Sequence, residues 1–381
     1  MKSTLVLSDV HLGEGHGRDA GCALARLLTE HTHKDLIFAG DTFDLTLGPK
    51  TESTGETLCR ILAHHEPVRA ALRAHLGRGN RVTVLPGNHD AALKQEETAG
   101  ELLKSLEPPR DEALSVRDWF TNFGPAHIQH GHLYDADNAF AHPLAPFRIG
   151  AEPLGTALMR DFVGPSGALS FAHAHETSPV RGLVRAFREF GPRAPQIILL
   201  YFRVALALCL RAARKDELHA DEQEGERALK ELARKTGLPE EQLRALAELR
   251  ESPTHLSAKE TWHRLYLDQV SAGALFTFAA TQALSNPGLS LPPALVATGL
   301  FIKRKLEPID YHERMNEAAR QAAHKIRELL GAELVVFGHT HSAHEEPGYV
   351  NLGSFGVARR ARPYLVLRED GHHELRRFEA T

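Results

Sequence analysis

Along the first 130 residues, short apolar runs alternate with longer stretches in which apolar positions recur every three or four residues. Leu5 to Ser8, "DLIFAG" (35–40) and "RVTVLPG" (81–87) read as strands, and Ala20 to Thr32 and about Thr57 to Leu76 read as helices. This alternation predicts a layered α/β domain. Each apolar run ends in a polar or glycine-containing turn, "SDVH", "AGDTFD" or "LPGNHD", and "AHIQHGH" (126–132) repeats the design. Open α/β sheets hold their ligands outside such strand C-termini.

After about Phe140 the pattern changes to Ala, Leu, Arg and Glu at helical spacing and continues so to about Pro308. A helix over Tyr311 to Leu330 then leads into "AELVVFGHTH" (332–341), followed by β-like runs at Tyr349 to Leu352, Tyr364 to Leu367 and Glu374 to Phe378. The pattern predicts an α/β core in two parts, residues 1–139 and 310–381, with a helical insertion or cap over residues 140–309. The charge-rich part of the insertion, Lys215 to Glu251, reads as a solvated helix face with no chemistry of its own.

Composition narrows this picture modestly. A hydrophobic fraction of 42% and a charged fraction of 25% are those of an ordinary globular chain. The 45 Lys and Arg against 49 Asp and Glu give no bulk positive field, which counts against nucleic acid as a partner. The cysteines, Cys22, Cys59 and Cys209, are far apart and odd in number, so neither a disulfide framework nor a thiolate zinc site is expected, and a cytoplasmic location fits. The opening "MKSTLVLSDVHLG" breaks its apolar run at Ser8 and Asp9, as a strand does and a signal peptide does not.

Two apolar stretches bear on membranes, because a spanning helix needs about 20 consecutive apolar residues. Ile197 to Leu210 is shorter and contains Arg203; Val270 to Ile302 is broken by Asn286, Pro287, Pro292 and Pro293. Both read as helices packed within a helical subdomain. The alternative is an interfacial surface flanked by Arg211, Arg214, Lys215, Lys303, Arg304 and Lys305.

The candidate chemistry lies in the turns: Asp9 and His11, Asp41 and Asp44, Asn88, His89 and Asp90, His130 and His132, His339 and His341. Imidazole, carboxylate and carboxamide without thiolate suit divalent ions such as Mn²⁺, Fe²⁺ or Zn²⁺. A D-x-H turn can bring two side chains to one ion, and a carboxylate such as Asp41 can bridge two. Any one of these pieces recurs by chance, but five of them, each after a predicted strand, share a context that independent polar loops would not.

Standing as "SDVHLG", "GDTFDL", "GNHD", "QHGH" and "GHTH", the set resembles the calcineurin-like metallophosphoesterase superfamily over roughly Met1 to Asn138 and Ile309 to Thr381. The resemblance implies a four-layer α/β/β/α sandwich of two mixed sheets rather than a plain layered sheet. It makes Asp9, His11 and His341 ligands of one metal, Asp41 a bridge, and Asn88, His130 and His339 the remaining ligands of the second. It makes His89 the residue that contacts phosphate and protonates the leaving group, with Asp44 orienting it. Asp90 and His132 would orient ligands or backbone. Two divalent ions, with Mn²⁺ expected, would activate a bridging hydroxide for attack on phosphorus. No organic cofactor is implied.

Within the superfamily, "GDTFDLTLG" and "HGHLYD" are most similar to the branch of UDP-2,3-diacylglucosamine pyrophosphatase, whose helical insertion holds acyl chains and which works at the inner membrane. That branch has Arg where this chain has His89, and a shorter insertion. The expected partners are therefore a phosphoester or pyrophosphate substrate, lipid-linked or nucleotide-sugar in kind, and a membrane surface met through the insertion. The rival readings are a nuclease or other phosphodiesterase of the same superfamily, and a non-catalytic metal-binding scaffold. His344 is expected in a loop or edge strand, and His31, His33, His64, His65 and His75 at the surface.

Overall fold

Along β1 (Ser3–Leu7), Leu5 and Leu7 join one apolar cluster while Val6 joins another. The same period of two sorts Leu36 and Phe38 from Ile37 and Ala39 in β2 (Asp35–Ala39), and Val335 and Phe337 from Leu334 and Val336 in a later strand. Strands with two apolar faces must be covered on both sides. The computed structural model, which describes residues 3–168, 179–213, 216–306, 311–358 and 360–379, shows how.

The remaining strands are β3 (Val82–Leu85), β4 (Leu114–Val116), β5 (Phe120–Phe123), β6 (Ala126–Gln129), β7 (Leu334–Phe337), β8 (His344–Glu346), β9 (Tyr349–Asn351), β10 (Ala361–Arg368) and β11 (His373–Glu379). They form two sheets, in the orders β11-β10-β1-β2-β3-β4 and β5-β6-β7-β9-β8. Both are mixed: β1, β2, β3 and β4 run parallel, with β10 antiparallel to β1 and β11 antiparallel to β10, and β6, β7 and β9 run parallel with β5 and β8 antiparallel. Val6, Ile37 and Leu85 from one sheet pack with Ile128, Val336 and Val350 from the other, which makes the pair a sandwich.

Helices cover the outer faces. α1 (Arg18–Glu30), α2 (Thr54–His64), α3 (Glu66–Gly77) and α4 (Glu96–Leu106) contribute Leu24, Leu27, Ile61, Leu72 and Leu102 to the larger cluster. A capping box opens α2, in which Ser53 Oγ accepts from Glu56 N at 3.2 Å and Glu56 Oε2 accepts from Ser53 N at 2.8 Å. The pattern over 57–76 predicts one helix; the chain forms two, broken at His65 before Glu66–Pro67. The helix Tyr311–Leu330 reaches the second sheet through Arg327, which donates to Pro347 O at 3.3 Å, and His324, 3.1 Å from Glu346.

The chain divides into two compact units: Met1–Arg160, Asp216–Pro253 and Met315–Thr381, and Asp161–Lys215 with Thr254–Arg314. Part of the interval read as insertion thus packs with the sandwich. Leu229, Leu243, Leu246 and Ala247 of the helices Asp216–Thr236 and Glu240–Glu248 are buried in its larger cluster, so one face of that charge-rich stretch is core. The second unit is helical. Tyr201 donates to Leu265 O at 2.9 Å within it, and the helix Pro287–Leu306 continues through Pro292 and Pro293, which therefore do not end it as the sequence predicts. Each proline costs it one backbone donor. Arg214, Lys215 and the 309/310 boundary lie outside the described residues.

Surface placement is corrected for two histidines. His65 and His75 are buried, and His65 lies 2.9 Å from Gly13 O, where it anchors the loop after β1. His344 stands exposed in the edge strand β8, as expected.

Candidate metal centre

The turns after β1, β2, β3, β6 and β7 converge because the parallel strands present their C-terminal ends together. Backbone bonds lace these turns. Asp9 N donates to Gly40 O at 3.1 Å, His11 N to Asp41 O at 3.0 Å and Gly338 N to His130 O at 2.9 Å. The segment after β9 clamps the first turn, with Ser354 Oγ and Gly356 N both donating to Asp9 O, at 2.9 and 2.8 Å.

Among the described residues seven non-glycines have positive φ, and five of them are Asp9, His11, Asp41, His339 and His341. Each left-handed residue costs of order 1–3 kcal/mol, and such conformations persist where surrounding contacts enforce them. Here the enforcing contacts are the lacing bonds. Two motif glycines give the room: a Cβ on Gly40, itself at φ 91°, would strike the His130 ring, and one on Gly338 would strike Ser8 Oγ and Asp9 Oδ2.

Three groups of donor atoms result: Asp9, His11 and His341; Asp41, His130 and His339; and His11, Asp41 and His89. In the first, His341 Nε2 lies 3.1 Å from Asp9 Oδ1 and 3.2 Å from His11 Nε2. His11 Nδ1 meets Asp44 Oδ1 at 2.8 Å, which leaves the His11 Nε2 lone pair turned towards the other two donors. In the second, His130 Nε2 lies 3.1 Å from Asp41 Oδ2, and its Nδ1 is fixed by Ala39 O at 2.9 Å. Asn88 follows Gly87, on which a Cβ would strike Asp41 Oδ1 and the His130 ring, and precedes His89, whose N donates to Asp41 Oδ1; it is 2% exposed, with an Oδ1 that accepts no hydrogen bond. A buried, unsatisfied carboxamide oxygen among converging imidazole and carboxylate donors is what a divalent cation would satisfy, so the residues fit such an ion.

Electrostatics point the same way. Burial would raise the carboxyls of Asp9 and Asp41, yet the charge of His130 and the hydrogen bonds and charges of neighbouring imidazoles hold both far below the ordinary carboxylate range. Burial opposes protonation of His130, but Asp41 and then Asp9 push it up to about 9. Burial lowers His89 too, and Asp41 and Asp44 outweigh it. Without a cation, protons on imidazole serve as the counter-charge of these carboxylates.

Asp44 does more than orient His89. Its Oδ1 lies 2.9 Å from His89 Nδ1 and also meets His11, while its Oδ2 is held by His16 Nε2. Asp90 accepts from the backbone N–H groups of Gly87, Asp41, Thr42 and Phe43, so it holds the Asp41 turn in shape. Burial and the nearby Asp41 push its carboxyl up to about 6. His132 differs from expectation: it is buried, but neither ring nitrogen makes a hydrogen bond, so it orients no ligand by that means. Its ring packs 5.3 Å from that of His130.

Four nearby residues escape the sequence reading. Ser8 Oγ donates to Asp9 Oδ2 and to Ala39 O, the latter at 3.0 Å. His16 holds Asp44, Asp135 Oδ2 lies 3.0 Å from His339 Nε2, and Asn138 accepts from Asn88 at 3.2 Å. Ser8 and Asp135 lie inside the motifs "SDVH" and "HGHLYD", a signal that was available; His16 and Asn138 have none.

Residues 2–199 match the family described as calcineurin-like phosphoesterase. No curated protein matches the chain. The matched span holds the turns from Asp9 to His132, whereas His339 and His341 lie beyond it, and the fold brings them in: His339 N donates to Asp9 Oδ2 at 2.9 Å.

Proposed function

Because the chain belongs to the calcineurin-like phosphoesterase family, a family of metal-dependent phosphoester hydrolases, we propose that it hydrolyses a phosphoester or pyrophosphate bond with two divalent ions, Mn²⁺ foremost. Asp9, His11 and His341 would hold one ion, Asn88, His130 and His339 the other, with Asp41 shared. The observation that carries this reading is the presence of Asp41 in two of the three donor groups, next to both imidazole sets. When bound, such a pair supplies an activated water and neutralises charge building on the phosphoryl oxygens. The chain's own residues do the rest. Asp44 Oδ1 pairs with His89 Nδ1 by charge at 2.9 Å, so His89 Nε2 is left to protonate the departing oxygen. His89 N donates to Asp41 Oδ1 at 2.8 Å, which ties the position of that acid to the shared carboxylate.

The purified protein, stripped with chelator and reconstituted, is expected to bind two Mn²⁺ per chain by elemental analysis. It should then hydrolyse bis-p-nitrophenyl phosphate at least about 100-fold faster than the stripped form. Metal at 100 times its dissociation constant should also raise stability by about 2.7 kcal/mol for each ion bound, read as a rise in Tm. Absence of metal uptake, or uptake without hydrolysis of monoesters, diesters and pyrophosphates alike, would overturn the reading; the second result would favour a metal-binding scaffold.

For the substrate we propose a lipid-linked or nucleotide-sugar phosphoester or pyrophosphate, such as UDP-2,3-diacylglucosamine, met at an anionic membrane surface through the second unit. Two features support this. Leu199, Leu206, Leu210, Phe276, Phe278, Leu291, Leu295 and Phe301 of that unit are all 46% exposed or more. Its segments also carry 14 Lys and Arg against 8 Asp and Glu, in a chain of net charge −4. The helical run Val184–Ala212 is long and apolar enough to cross a membrane, but Arg185, Arg188, Arg193, Arg203 and Arg211 punctuate it, as in a helix lying in the interface. Vesicles containing phosphatidylglycerol should therefore sediment the protein, and Leu199→Glu with Leu206→Glu should cut the bound fraction roughly tenfold. Equal recovery from neutral vesicles, or no sedimentation, would count against it.

A further inference from the structure

The loop after β6 contains two residues outside the donor groups: Asp135, which closes "HGHLYD" but is given no role by the resemblance, and Asn138. From their hydrogen bonds we infer that Asp135 and Asn138 are positioning residues for the second ion: a single carboxylate there determines which atoms His339 and Asn88 present to it. This rests on the two-ion reading above.

The argument runs along one chain of hydrogen bonds. Asp135 Oδ1 is occupied by its own turn, accepting from Asp137 N at 3.0 Å. Its Oδ2 meets His339 Nε2 at 3.0 Å and accepts from Asn138 Nδ2 at 2.7 Å. An ionised carboxylate only accepts, so both neighbours must donate to it. For His339 this puts the proton on Nε2 and leaves Nδ1 as the lone pair. For Asn138 it fixes the sense of the carboxamide, with NH₂ towards Asp135 and oxygen away from it. That oxygen accepts from Asn88 Nδ2 at 3.2 Å, so Asn88 must turn its own oxygen the other way. This is the buried Oδ1 that accepts no hydrogen bond.

The sense of each amide therefore follows from the acceptor-only group at the end of the chain. The relay is also packed in place. Thr156 Oγ1 donates to Asn88 O at 3.3 Å, and a Cβ on the adjacent Gly155 would collide with Asn138 Oδ1. The ion held by Asp9, His11 and His341 has no part in the relay, because His11 is fixed by Asp44. Asp135 thus acts on one ion site only.

Asp135→Asn removes the acceptor-only end and lets both amides turn. In the full-length protein it should weaken the second Mn²⁺ by about 10–100-fold and leave the first unchanged. Electron paramagnetic resonance during Mn²⁺ titration reads this directly: the variant should show a six-line mononuclear spectrum over the range in which the wild type already shows an exchange-coupled pair. Asn138→Ala frees Asn88 alone and should weaken the second ion by about tenfold. It decides the matter if Asp135→Asn does not fold. Wild-type affinity for the second Mn²⁺ in Asn138→Ala, or in a folded Asp135→Asn, would overturn the inference. A wild-type protein that never forms the coupled pair would instead overturn the two-ion reading on which it rests.

Discussion

Asp41→Asn is expected to lower kcat at least about 1,000-fold, with fewer than two ions retained per chain. No other substitution at the centre should cost as much, because Asp41 alone stands in both the group containing His130 and His339 and the group containing His11 and His89. The change is nearly isosteric, and Oδ1 can still accept from His89 N. What is lost is the negative charge that faces His130 and that, on the two-ion proposal, would balance two cations at once. The check is elemental analysis beside turnover on the same sample. Two ions per chain with turnover within about tenfold of wild type would remove Asp41 from its bridging position.

His89→Ala should behave differently. Both ions should remain, and turnover of substrates with alkyl leaving groups should fall by about 10²–10⁴-fold, the usual worth of a positioned general acid. A p-nitrophenolate leaving group needs little protonation, so its loss should be about tenfold or less. A plot of rate against leaving-group pKa would be steeper for the variant than for the wild type, and equal slopes would deny His89 the acid role. Asp44→Asn is a useful contrast. Its Oδ1 meets both His11 and His89, so this variant should lose the leaving-group advantage and weaken the first ion together.

Much of the centre is legible in the sequence because its donors follow strands closely. Asp9 and His11 come two and four residues after Leu7, and His339 and His341 two and four after Phe337, so a run of apolar residues announces each turn. The sandwich is less legible. β10 pairs with β1 across almost the whole chain, and nothing local to either strand specifies that register. The helix Asp216–Thr236 misleads by composition: most of its described charged side chains face water, while Leu229 packs into the core beneath them. His16 and Asn138 escape for a different reason. A residue that acts through another needs only hydrogen-bond reach, and reach in space leaves no spacing rule along the chain.

His339 and Asp9, joined by a 2.9 Å hydrogen bond, are separated by 330 positions. At roughly 5–20 residues per second, a ribosome takes about 15–65 s to travel from one to the other. For most of that interval the emerging chain carries Asp9 and Asp41 without His339 and His341, and β1 without its partner β10. The centre is consequently among the last features the nascent protein can assemble. A chain that stops before β7 would hold most of the family's recognisable motifs and still lack His339 and His341.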